Sequence, residues 1–354
     1  MMWIWRYELT KILFSYRGLL LIAAFVVLKT ALLIALPELK DERIKLSQKN
    51  YDKVLSEIHG PTTPEKEEYI TSTYAKYRET LERFTQMKDA YLSGKISRDE
   101  WEKYSNEYGE ANLYINSFEI FNEKREIFAA LLPYGELLPP AYFYEYGWNS
   151  ALTYMGFPDP LSLILVLLLA VQMICPEASS GILKINLCTH YGRAPLFLSK
   201  FAVLSFLLLI AAAISVTLEI AVFSLRFDLS QPHWGIYSVA PYDLTLLPYS
   251  LAEGILHIAS IRAAGLIMLG LFAFGVACFT QNAAQTIFCV TVCVVIPWFV
   301  APGSIFTFGA WLSGQPIFKS ARYMLAAIAP ATATAAFLYA SYIIKIKRKR
   351  KALS

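Results

Sequence analysis

Six apolar runs, each long enough to cross a bilayer as a helix, constrain this chain more than any other feature. They lie at roughly 18–36, 159–176, 196–225, 256–279, 284–302 and 324–344, where a spanning helix takes about 20 apolar residues. Inside hydrocarbon every backbone N–H and C=O must be bonded within the chain, which leaves the helix as the spanning form for runs of this kind. Hydrophobic residues make up 56% of the 354 and the mean hydropathy is +0.43, above the roughly 45–50% apolar content of soluble domains. The expected fold class is an all-α membrane protein with six transmembrane helices.

The first run reads as a retained span rather than a cleaved leader. It lacks a small-residue cleavage site, carries Lys29 within it and follows an aromatic and basic segment. That segment, 1–17, mixes Trp3, Trp5, Tyr7, Phe14 and Tyr16 with Arg6, Lys11 and Arg17, a composition suited to an interfacial elbow helix at the headgroup level. Charge sets the orientation. The tail 346–354 follows Lys345 and carries Lys347, Arg348, Lys349, Arg350 and Lys351, so the positive-inside rule places both termini in the cytoplasm. A basic tail beside apolar sequence reads as an anchor on anionic lipid, and no nucleic acid is expected as a partner. None of the five cysteines falls between the first two spans, and a disulfide framework is not expected.

The domain plan follows from these boundaries: the elbow at 1–17, a first transmembrane helix at 18–37, an extracytoplasmic helical domain at 38–158, five further transmembrane helices within 159–345, and the basic cytoplasmic tail. Within 38–158, Ile70, Tyr74, Tyr77, Leu81, Phe84 and Tyr91 form an apolar stripe at helical spacing, opened by Thr63 as N-cap and Pro64 in the first turn. A second helix opens at Ser97, where Ser97 and Glu100 make a capping box and Ile96 and Trp101 a hydrophobic staple, and its stripe runs Trp101, Tyr104, Tyr108, Ala111, Ile115 and Phe118. With a turn at Ser93-Gly94 the two pack as an antiparallel pair, and 41–58 offers a third helix. The aromatic stretch 133–158, with Tyr142, Phe143, Tyr144, Tyr146 and Trp148, reads as a membrane-surface segment leading into span two.

The loop after span two, 177–195, carries the functional argument. It places Glu177, Gly181, Leu183, Leu187, Thr189, His190 and Arg193 before Lys200 at the start of span three. The order of an acidic residue, a glycine four on, an apolar helical stretch, a Ser/Thr turn, an arginine and a lysine seven later resembles the ABC transporter type-2 permease family. His190 stands where that family usually has proline. The resemblance covers nearly the whole chain as architecture: the elbow, the large outward region after span one, six spans and the polar turn Thr280-Gln281-Asn282. Only this loop is sequence-specific. It implies that the loop helix docks in a groove of a separate ATP-binding subunit and carries nucleotide-driven closure to the spans. Independently of the name, Gly181 permits a sharp backbone change, and Arg193 and Lys200 can hold the loop against lipid phosphates.

Lys29 in span one and Glu219 in span three lie at similar distances from one end of their helices. A lone charge in hydrocarbon costs at least about 2.5–3.5 kcal/mol, so the two are expected to meet as an intramembrane charge pair or to snorkel separately. Pro297 and Pro330 lie in spans five and six and are expected to kink them.

No catalytic or metal constellation stands out. Glu253 and His257 are four apart, but the four histidines are scattered and no HExxH occurs. There is no GxxxxGK[ST] phosphate loop, so ATP and Mg are expected in the partner subunit and no cofactor in this chain, which is not expected to be an enzyme. The expected function is that of a permease subunit in the plasma membrane of a bacterium, exporting a peptide, antimicrobial or envelope compound beside a second permease subunit. The alternative is a receptor-like protein that senses an envelope ligand through its outward domain without transport. An intramembrane enzyme needs facing polar residues that the spans scarcely offer.

Overall fold

The computed structural model describes residues 2–314 apart from 46, 132–137, 139, 184, 186–193, 243–246 and 301–307. The sixth apolar run, Pro330 and the basic tail lie outside the described residues, as do Leu187, Thr189, His190 and Arg193. The chain divides into two compact units, one of 1–36, 152–226 and 255–354, the other of 37–151 and 227–254.

In the first unit, α1 (Met2–Thr10) runs into a π-helical turn at Lys11–Ser15 before α2 (Gly18–Ala35). The chain enters α2 through Arg17 in the left-handed region, φ 58°. A Cβ on Gly18 would lie 2.8 Å from the Ile12 carbonyl oxygen, so only glycine lets the two segments approach this closely. Residues 2–15 are helical without a break, the last turn in π form.

Then come α8 (Tyr146–Met155), which begins in the second unit and ends in the first, and α9 (Pro160–Gln172). Asp159 is the N-cap of α9, its side chain accepting from Leu161 N at 3.0 Å, with Pro160 in the first turn where its missing N–H costs nothing. α10 (Cys175–Ser179), α11 (Ala194–Arg226), α12 (Leu251–Thr280), α13 (Ala283–Val300, with Pro297 inside) and α14 (Phe308–Ser313) follow. Among the described residues, four segments are long and apolar enough to cross a membrane: Gly18–Ala35, Tyr146–Ser179, Pro195–Arg226 and Leu251–Thr280. Their shared core includes Phe25, Leu165, Leu169, Leu204, Leu208, Leu269 and Phe274. Small residues bring the helices together: a Cβ on Gly270 would sit 2.4 Å from a Leu208 methyl and 2.9 Å from one of Val166.

The second unit is helical and polar on its surface. It contains α3 (Glu42–Lys45), α4 (Gln48–Ile58), α5 (Pro64–Glu82), α6 (Phe84–Leu92) and α7 (Arg98–Leu131). One antiparallel pair of two-residue strands, β1 (Gly60–Pro61) and β2 (Ala141–Tyr142), joins its ends with Gly60 opposite Tyr142. α5 and α7 pack along their length, as the stripes predict. Thr63 Oγ1 accepts from Lys66 N at 3.4 Å, and Ser97 and Glu100 bond reciprocally at 2.8 and 3.2 Å. The helix expected to continue to Tyr91 is interrupted at Arg83, and α7 runs further than its stripe, to Leu131.

Tyr51 stacks on Phe121 at 4.9 Å between ring centres and meets Tyr146 edge-on at 5.8 Å. Each large side chain buried here contributes about 1.5–3 kcal/mol. Tyr142, Phe143, Tyr146 and Trp148 are buried, Tyr142 and Tyr146 in one core with Tyr51 and Phe121, which corrects their reading as a membrane-surface segment. Composition permits either fate for an aromatic run, and core packing takes these four. The segment 227–254 joins the same unit: Trp148 Nε1 donates to the Ser230 carbonyl at 2.7 Å, and the Asp228 backbone leaves no room for a side chain at Gly147.

Candidate functional site

Two clusters of buried charge organise the helical bundle of the first unit. In the first, Lys29 of α2 reaches four partners: Asp159 at 2.5 Å, Glu219 at 2.6 Å, Ser215 at 2.6 Å and Ser162 at 3.3 Å. Arg262 of α12 adds a two-pronged contact to Glu219, one prong at 3.1 Å to Oε1 and the other to Oε2. Its Nε donates to the Leu312 carbonyl at 3.1 Å, tying α14 to the same point. The structure therefore brings Lys29 and Glu219 together, but as half of a quartet with Asp159 and Arg262. Two cations face two carboxylates, so the cluster is neutral, and Lys29, Glu219 and Arg262 are 1%, 3% and 4% exposed. At such burial each charge needs both an opposite charge and hydrogen bonds; here every cation has them.

In the second cluster, Glu177 of α10 accepts from Lys200 of α11 at 2.6 Å and from Lys11. Glu8 of α1 accepts from Lys200 at 2.8 Å and from Lys11 at 3.2 Å. Again two carboxylates balance two cations, with Glu8, Glu177 and Lys200 each at most 2% exposed. Lys11 also lies 5.5 Å from the centre of the Tyr7 ring and 5.7 Å from that of Tyr16. Burial lowers the Lys11 pKa, but the hydrogen bond to Glu177 and the charge of Glu8 outweigh it and leave the ammonium above its ordinary value.

These contacts correct the expectation that Lys200 reaches lipid phosphates, because both carboxylates and the Met173 carbonyl, at 3.1 Å, already occupy its three protons. Past Glu177 the chain turns at Gly181, φ +76° with open space where a side chain would be. Leu183 is buried while Ile182 and Ile185 are exposed, so the piece of loop helix described presents an apolar outer face. The Glu177 Oε2 atom is buried without a hydrogen-bond partner among the described residues.

Glu253 closes a capping box with Ser250, accepting its N–H and O–H at 2.9 Å each, which accounts for its place at the start of α12. A groove of about 690 Å³ in the second unit is lined by one face of α4 (Gln48, Asp52, Leu55, Ser56) together with His59, Tyr144 and Asp228. Among the described residues no group of three or more His, Cys, Asp or Glu could hold a metal ion.

Sequence reasoning missed four members of the clusters. Arg262 had a plain signal, an arginine inside an apolar run, whereas Asp159 resembled an ordinary N-cap and Glu8 and Lys11 ordinary headgroup charges. No family model, curated protein or solved structure matches the chain. Its class rests on its own physics: an all-α, multi-pass membrane protein by the four long apolar helices among the described residues.

Proposed function

We propose that this chain is the membrane-spanning permease subunit of an ATP-driven transporter of the ABC type-2 kind, working as an exporter. One observation carries the reading most. Glu177, the first residue of the loop that resembles the family's coupling segment, is the buried joint at which α1, α10 and α11 are ionically tied. A partner that displaces this loop therefore pulls on the N-terminal helix and on a full-length span together. The exposed Ile182 and Ile185 beyond the Gly181 turn supply the apolar surface such a partner would cover.

In this reading the chain has six spans, α1 and the turn after it form the interfacial elbow, both termini are cytoplasmic, and the second unit is extracytoplasmic. ATP and Mg belong to the ATP-binding subunit. Two permease subunits, identical or related, complete the pathway in a bacterial plasma membrane. The cargo is a peptide, antimicrobial or envelope compound. The groove along α4 favours a second reading, a sensor that binds an envelope ligand there without transport.

The test is to purify the tagged chain from its host in mild detergent and identify stoichiometric partners. Ile182→Asp and Ile185→Asp alter the exposed loop surface and leave the Glu177 contacts in place. An ATP-binding subunit that copurifies with the natural chain and is lost with these variants supports the permease. Its absence from the natural preparation moves the sensor to first place.

A further inference from the structure

The two quartets share one element. α11 contributes Lys200 to one and Glu219 to the other, about 28 Å apart along the axis at about 1.5 Å per residue. That separation is close to the roughly 30 Å of bilayer hydrocarbon, so each quartet falls near one edge of the apolar slab. Between the two charges α11 has neither glycine nor proline, the residues at which long helices bend. By contrast, the route from Asp159 to Glu177 is broken between α9 and α10.

The far end of α11 is fastened a second time. Arg226 donates to the Leu33 carbonyl at 3.1 Å and that of Leu36 at 2.7 Å, adding side-chain donors to the carbonyls at the end of α2. Each quartet is also multi-helical. The Lys200 end holds α1 and α10, and the Glu219 end holds α2, the start of α9, α12 and, through Arg262, α14.

We infer that α11 is a rigid tie rod between two charge latches, and that the Glu219 quartet is the latch that keeps the far end of the bundle closed. A shift or rotation of α11 at Glu177 and Lys200 then has to be taken up at Glu219, because the helix between carries no glycine or proline hinge. Four charges packed in neutral balance have few intermediate arrangements, so the latch is either closed and dry or open and hydrated. This deepens the coupling reading above by naming the element that carries the motion and the site that answers it.

The test needs no ATP-binding partner, so its failure is distinct from a failure of docking. Ala212, 1% exposed and two turns before Glu219, is replaced by cysteine as a reporter in the full chain. The protein is reconstituted in phosphatidylethanolamine–phosphatidylglycerol vesicles and treated with an anionic, membrane-impermeant methanethiosulfonate. Modification is read by mass spectrometry of the peptide containing position 212, so native cysteines do not interfere.

We expect the reporter to be protected in the parent and modified at least about tenfold faster with Glu219→Gln, as charge imbalance draws in water. Glu177→Gln, at the opposite end of α11, should raise the rate at least about threefold if the rod transmits. Leu207→Ala, an apolar truncation between the quartets, should stay within about twofold of the parent, since it touches neither latch. A parent-like rate in Glu219→Gln overturns the latch. A parent-like rate in Glu177→Gln overturns the rod. A rise in Leu207→Ala as large as in the charge variants overturns both, because general loosening then explains the signal.

Discussion

Removing the Glu219 carboxylate should be one of the most damaging conservative changes in the bundle. In Glu219→Gln the shape is kept, but Lys29 and Arg262 are left facing Asp159 alone, at 1% and 4% exposure. Loss of one member of a buried ion pair costs about 3–5 kcal/mol, and even the lenient insertion scale prices a lone charge in the membrane at about 2.5–3.5 kcal/mol. A neutral interhelical hydrogen bond is worth only about 0.6–2 kcal/mol. We therefore expect a loss near 3 kcal/mol, about a hundredfold in the unfolding equilibrium. Lys29→Met added to Glu219→Gln restores neutrality, leaving Arg262 with Asp159, and should cost at least about 1 kcal/mol less than the sum of the single changes. The assay is reversible unfolding of the purified chain in mixed micelles against the mole fraction of anionic detergent, followed by circular dichroism. A loss under about 1 kcal/mol for Glu219→Gln, or additivity within about 0.5 kcal/mol, would refute the account of the quartet as one charge-balanced unit.

Glycine packing makes an opposed pair of predictions. Gly265→Ala would put a methyl 2.8 Å from the Trp311 carbonyl oxygen and should cost about 1–3 kcal/mol in the same assay, whereas Gly109→Ala in α7, with open space around it, should add about 0.5–1 kcal/mol. Ser97→Ala breaks the capping box at the start of α7 and should lower stability by about 0.5–2 kcal/mol, read as earlier proteolysis of the α6–α7 turn. Burial pushes the Tyr237 phenol from 10.0 up to about 12. A raised pKa means the neutral form is favoured in the fold, so its contribution is full below about pH 10 and is lost as pH rises toward 12. Tyrosinate absorbance and unfolding measured together should show that decline, and Tyr237→Phe should make it shallower, the other tyrosines with raised pKa values, such as Tyr69, supplying the rest.

Much of the local structure was legible in the residues themselves. The caps at Thr63 and Ser97 depend on side chains a few positions from the backbone they serve. The α5–α7 pairing follows from two stripes and a short turn. The aromatic run at 142–148 was not legible, because an aromatic side chain is equally at home in a headgroup layer and in a core. Neither was the recruitment of 227–254 into the second unit, which hangs on the close approach of Gly147 to Asp228 and the Trp148 bond to Ser230.

The candidate site divides along the same line. Periodicity, hydropathy and capping act over a few turns of one helix, and they were enough to determine that this is a helical membrane chain and to single out Lys29 and Glu219 as charges within its apolar runs. Which partners they have is a question of long-range geometry. Asp159 and Arg262 come from two other helices, and Glu8 and Lys200 stand 192 positions apart. Only the packed bundle decides which charges fall at the same depth and on facing sides, since the energy that selects them exists only once water has been excluded from between the helices.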